Sequence, residues 1–393
     1  MKQTAGVRIA SLVLLGLLAV FTLGVYADAP SYGLVGGHAV DYLHLDAAAH
    51  LLRQHGCLYC YNQIRSEEIH LLGYVPRTSP YFPNEFLDLP VVALLMVPLS
   101  FLTFASSERV FVLLMELVVL VDGWLIFRML PKDWSNAKRL AILLLSAFMF
   151  PGTIDVFLGK YEPVLCLGLI LGFMYNRRKP FLSGLLFAIA ALEPQLLIFL
   201  PVAMLLSRQW KTLLGFVSGS AVWLLASLVV LHGNVAPYIS LLISNSHLSP
   251  IHEPSIPEYI GAIGGTDLAF VLSVAGPLVT AAAFWLRRSA LVANPRLGYA
   301  VALVASIAWS THAGEYDLLL LAAPIAIWSM YDYVPALVFA ACLSAAYAIG
   351  LYGHAVTPLE PLVLVIPLLW WWRHTSSTVP HEGAAIRTGE LAS

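Results

Sequence analysis

The chain has 393 residues, of which 59% are hydrophobic and only 11% charged, with a mean hydropathy of +0.80. These values exclude an ordinary soluble domain and define a polytopic membrane protein. The formal net charge of -2 shows no basic surplus of the kind that binds nucleic acid.

The run Gly6 to Tyr26 is apolar and meets the requirement of about 20 residues for crossing a bilayer. Tyr26-Ala27-Asp28-Ala29 resembles a signal-peptidase site, but the run exceeds an h-region and more spans follow, so an uncleaved helix is expected. Polar and aromatic sequence then extends to Leu89. Within it, Asp46 to Gly56 reads as a short amphipathic helix, with Asp46 as its cap and Gly56 as its end. Asp41 lies one turn earlier. An acid at the membrane surface can accept a proton from a substrate delivered by the bilayer, and the plainer alternative is a loop-stabilising hydrogen bond. Cys57 and Cys60 pair in an oxidising compartment or stay as two thiols; zinc would need more ligands than His55 adds. No metal site and no cofactor is expected.

The segment 89–105 is short, carries Pro90 and Pro98, and predicts a juxtamembrane or re-entrant helix that does not cross. Apolar runs then recur at 109–130, 139–153, 157–175, 181–192, 194–207, 212–231, 264–286, 297–311, 315–330, 335–353 and 359–372. With the first helix they predict an all-α bundle of about twelve transmembrane helices. Residues 181–192 and 194–207 flank Glu193-Pro194 and read as a tight hairpin, each arm rising only about 18 Å. If alternate connections face the cytoplasm, 16 of the 21 Lys and Arg residues fall on that side, with both termini. Residues 27–108 and 232–263 then form outer loops of a single domain over 1–373. The polar tail 374–393 is expected to be disordered and cytoplasmic.

Several ionisable residues converge towards the outer side. Asp155 lies in an outer connection, and Lys160 and Glu162 enter an otherwise apolar run. A charge near mid-bilayer costs about 3 kcal/mol on insertion scales, so such residues face a cavity or a partner. An ion pair of Lys160 with Glu162 or Glu193 would fix helix packing; alternatively, the Lys160 ammonium meets a lipid-linked phosphate. His312, Glu315 and Asp317 sit between two late runs, where His312 either donates to phosphate oxygens or is an ordinary interfacial histidine.

The early loop Asp with "LDAAAHLLRQHGCLY", the segment "DLPVVALLMVPLSFL", the long block from "FLGKYEPVLCLG" to "LLSRQWK", and "WSTHAGEYDLLLLAAPIA" resemble the bacterial polyprenol-phosphate-mannose-dependent glycosyltransferases of the GT-C superfamily. The resemblance implies a GT-C-like bundle in the bacterial inner membrane with an outward cavity. It also implies inverting transfer from a polyprenyl-phosphate sugar donor to a lipid or glycan acceptor. The family's catalytic base maps onto Asp41 and its late histidine onto His312, which with Lys160 would hold the donor phosphate. Asp46, Asp155, Glu162, Glu193 and Glu315 would line the cavity. The family's Gln and Asn of G-Q-x-N are replaced by Lys160 and Glu162, and a later Lys by Glu193, as if a positive charge had moved. A transporter or flippase of a lipid-linked saccharide is the alternative, and a scaffold subunit a third. The polar loop favours an enzyme, because a transporter calls for midplane charges and paired repeats.

Overall fold

A computed structural model describes residues 34–35, 38–75, 86–146, 158–244, 255–310, 313, 315–352 and 360–377. The first apolar run, Asp155, His312 and the tail beyond 377 lie outside the described residues, and so does the side chain of Glu315.

Among the described residues the fold is all-α apart from one antiparallel ladder, β1 (Leu34–Val35) with β2 (His38–Ala39). Two helices follow, α1 (Val40–Arg53) and α2 (Tyr61–Leu72), joined through a Cys57–Cys60 disulfide. The short α3 (Pro90–Met96) and a 3-10 turn at Leu99–Phe101 lead into α4 (Phe104–Met129). At 1.5 Å per residue α3 rises about 10 Å, far short of a bilayer core, whereas α4 rises about 39 Å.

Most of the remaining helices track the apolar runs, but those at 236–244, 256–264 and 288–293 lie between the runs, the first two within the expected outer loop. In chain order the helices are α5 (Asn136–Ser146), α6 (Glu162–Tyr175), α7 (Pro180–Phe187), α8 (Phe199–Leu206), α9 (Trp210–Val230), α10 (Ala236–Ser244) and α11 (Ile256–Gly264). Then come α12 (Thr266–Leu286), α13 (Arg288–Ala293), α14 (Pro295–Trp309), α15 (Ala322–Tyr331), α16 (Tyr333–Tyr352) and α17 (Glu360–Ser377). Among the described residues, three helices are long and apolar enough to cross a membrane: α4, α9 and α12. Shorter apolar helices, including α6, α14 and α15, pack between them.

Two features set the interior. Between α7 and α8 the chain passes through 3-10 turns at Ala188–Leu192 and Pro194–Leu197, so the hairpin is folded tightly about Glu193. Against it lies α9, and the crossing is closed by Gly184 and Gly215. A Cβ on either would collide with backbone of the facing helix, at Thr212 and Phe181 respectively. Small residues at such a crossing let backbones approach and gain dispersion contacts where lipid supplies no hydrophobic drive.

Basic and acidic groups separate along the helices. Arg177, Arg178 and Lys179 follow α6, while Lys160 and Glu162 stand at its start. Lys179 and Arg208 flank the base of the hairpin whose tip is Glu193. At the basic end, guanidinium and ammonium groups sit over aromatic rings, as with Arg128 over Trp124, Lys138 over Trp134 and Arg287 over Trp372. Cation–π contacts of this kind anchor helix ends at an interface.

Candidate active site

The helix carrying the early acids starts sooner than the local sequence suggests. α1 begins at Val40, so Asp41 lies in its first turn and Asp46 in its interior, completely buried. The expected cap role of Asp46 is therefore wrong. What caps α1 is remote: the Ala39 N–H donates to Glu108 Oε1 of α4 at 2.6 Å. A carboxylate there satisfies an orphan donor and meets the positive end of the helix dipole. Nor does Gly56 supply the left-handed residue after the helix; that is His55, with φ of 57°.

Two polar clusters flank α1. On one face Tyr42, Asp46 and His50 repeat every fourth residue. Tyr42 and Ser107 share a hydrogen bond through their hydroxyls, and Ser107 Oγ donates to Asp46 Oδ1 at 3.3 Å. His50 lies 3.9 Å from Asp46 Oδ2 through Nε2 and 3.4 Å from Glu67 Oε1 through Nδ1. Burial, with Glu67 nearby, pushes the Asp46 carboxyl up to about 7, and burial also lowers the His50 imidazole. This cluster binds α1 to α2 and α4.

The other face presents Asp41 and His44, one turn apart. His44 Nδ1 lies 3.9 Å from Asp41 Oδ1, and its Nε2 lies 3.5 Å from Asp88 Oδ2. Asp88, absent from the sequence-based candidates, is held from three directions. Tyr59 Oη donates to its backbone carbonyl at 2.9 Å, and Tyr161 Oη donates to its Oδ1 at 2.6 Å. His44 and Tyr59 also pack on the ring of Phe86. Burial alone would raise the Asp88 carboxyl, but the His44 contact and the Lys160 charge hold it down to about 2.

Gly159 makes this approach possible. Its φ of 79° is one that L side chains rarely adopt, and an added Cβ would stand 2.5 Å from Tyr42 Cβ and 3.0 Å from Ala39 Cβ. The chain before α6 can thus lie directly on α1, which delivers Lys160 and Tyr161 to Asp88. Beyond them, carboxylate oxygens of Glu162, Glu193 and Asp317 lie within 4.8 Å of one another, all buried. Gln195 Nε2 donates to Glu193 Oε2 at 3.2 Å. Oxygen ligands so spaced could hold a hard cation, and Lys160 already supplies a positive charge that acts on Glu193 and Asp88.

Of the candidates read from sequence, Lys160, Glu162 and Glu193 come together, and Asp41 joins them through His44 and Asp88. Asp46 belongs to the opposite face of α1. Asp317, rather than any described atom of Glu315, completes the acidic group.

The sequence matches the family described as Glycosyltransferase family 87 over residues 86–313, more than half of the chain. The protein therefore belongs to glycosyltransferase family 87, a GT-C-type family. It is a membrane glycosyltransferase in the general sense, with sugar donor and acceptor substrates. No curated protein and no solved structure matches the chain. The matched range includes Asp88, Lys160, Glu162 and Glu193 and begins after α1, so it does not cover Asp41.

Proposed function

We propose that this protein transfers a sugar, with inversion, from a polyprenyl-phosphate-linked donor to a hydroxyl of a lipid or glycan acceptor at the outer face of a bacterial inner membrane. Donor enters laterally from the bilayer. Lys160 and His312 hold its phosphate, and Asp41 deprotonates the acceptor as it attacks the anomeric carbon from the opposite side. Fixed cations help most at the departing phosphate, where negative charge develops. Asp155, Glu162, Glu193 and Glu315 line the substrate cavity with Asp46, whose carboxylate is buried against Ser107 on the other face of α1.

The observation that supports the reading is the link from Asp41 through His44 and Asp88 to Lys160, a carboxylate and an ammonium group in one polar cluster. The Cys57–Cys60 disulfide supports an outward loop, since such bonds persist in oxidising compartments. Family membership weighs against a flippase, which needs no base.

Asp41→Asn tests it. Base catalysis contributes about 10²–10⁴-fold, so turnover should fall by that factor while donor binding and folding persist. Near-normal turnover would remove Asp41 as the base.

A further inference from the structure

We infer that His44 relays the proton taken up by Asp41, and that Asp88 is the positioning residue that holds His44 in the tautomer this requires. The inference rests on the proposed role of Asp41. It comes from the two ring nitrogens, each of which faces a different carboxylate: Nε2 faces Asp88 at 3.5 Å and Nδ1 faces Asp41 at 3.9 Å. All three side chains are about nine-tenths buried or more, at 4% exposure for His44, 9% for Asp88 and 11% for Asp41.

The tautomer follows from the anion. Asp88 is kept ionised by its His44 and Lys160 neighbours and accepts a further bond from Tyr161. An ionised carboxylate only accepts, so Nε2 must carry hydrogen, and in neutral imidazole Nδ1 is then a lone-pair acceptor. Nδ1 thus faces the Asp41 carboxylate at 3.9 Å as the ring nitrogen able to take a proton from it once the two groups close to hydrogen-bonding distance.

The step balances. The acceptor hydroxyl gives its proton to Asp41 as its oxygen bonds to the anomeric carbon, and the carbon–phosphate oxygen bond breaks with its electron pair leaving on the polyprenyl phosphate. The proton passes from Asp41 to Nδ1, and the imidazolium is paired with Asp88 until water takes the proton after product leaves. Asp41 is thereby returned to its basic form. A buried carboxylate beside a histidine works in the same way in hydrolytic triads, orienting the ring and stabilising its cation.

Other groups face Asp88: Lys160 and Tyr161 ahead of α6, Glu193 at the hairpin tip, Tyr59 before α2 and Tyr238 on α10. None of these stands between His44 and Asp41 in the contacts above.

The test uses the full chain in detergent with polyprenyl-phosphate mannose as donor and a membrane lipid extract as acceptor. His44→Gln should lower kcat by about 10- to 100-fold, change the shape of its pH profile, and leave donor KM within about twofold. Asp88→Asn should lower kcat similarly, and Asp88→Glu should restore much of it. The double variant should be no worse than the poorer single one, as for residues that act as one unit. An unchanged pH profile in His44→Gln, or losses that multiply in the double variant, overturns the relay. If His44→Gln fails to fold, the Asp88→Asn and Asp88→Glu pair decides: equal loss in both with an unshifted pH profile refutes it. Full activity in Asp41→Asn refutes the base itself, a separate result from a dead Asp41→Asn beside a normal His44→Gln.

Discussion

Tyr161 Oη donates a 2.6 Å hydrogen bond to Asp88 Oδ1, across 73 positions of chain. It joins the turn before α6 to the loop before α3, and both groups are buried away from competing water. A bond to a charged acceptor contributes about 1.5–3 kcal/mol, more than a neutral pair.

Tyr161→Phe should therefore lower stability by about 1.5–3 kcal/mol without opening a cavity, since only the hydroxyl is lost. Thermal unfolding of the detergent-solubilised chain gives the value. An unchanged melting temperature would show that the bond carries no net stability.

The helices were legible because apolar runs of the right length are bounded by charge or proline, and the hairpin because Glu193-Pro194 interrupts one such run. Asp46 was misread because Asp-Ala-Ala-Ala has the local look of a helix start. The true start depends on Glu108, which is 69 positions from Ala39. Asp88 opens the quoted segment "DLPVVALLMVPLSFL", yet nothing in that segment marks it as a site residue. It lies between Leu87 and Leu89 with no periodicity around it, and only the tertiary approach of His44 and Tyr161 gives it a role. The burial of Asp317 beside Glu162 and Glu193 is likewise not legible in the sequence, because a 3-10 helix at Glu315–Leu321 sets its facing.

Stability should depend on pH through Asp46 and Asp88 with opposite signs. Asp46 keeps its proton to about pH 7 in the folded chain but loses it near 3.8 when unfolded, so raising pH through that window destabilises the fold. Asp88, held to about 2, stabilises the fold above the ordinary carboxylate range and loses that contribution as pH falls through 2. Asp46→Asn cannot ionise. Its melting temperature should rise relative to the native chain from pH 4 to pH 7 and then level off, a gain of about 2–4 kcal/mol. A pH-independent difference would show that Asp46 does not titrate in this window.

The disulfide predicts both compartment and stability. Protein denatured without reductant in the presence of an alkylating agent should take up label at two thiols, Cys166 and Cys342, and at four when it is reduced first. Four thiols before reduction would put the loop in a reducing compartment and reverse the outward orientation. Replacing both Cys57 and Cys60 by Ser should cost only about 2 kcal/mol, because the closed ring is so short.

Lys160 supplies positive charge within a group that includes Asp88, Glu162, Glu193 and Asp317. Lys160→Gln alone should lose about 3–5 kcal/mol, the usual penalty for leaving buried charge uncompensated. Adding Glu193→Lys returns a cation to the group and places it where the family pattern has lysine, so the melting temperature should recover. Donor affinity decides what Lys160 does beyond this. If its ammonium meets the donor phosphate, the double variant folds normally but binds polyprenyl-phosphate sugar at least about tenfold more weakly, the loss expected for one charge-assisted contact. Measuring donor binding and unfolding on the same preparations separates the two roles. Recovery of both in the double variant, or native donor affinity in a well-folded Lys160→Gln, would remove Lys160 from the donor site and leave it as the counter-charge that lets these acids be buried together.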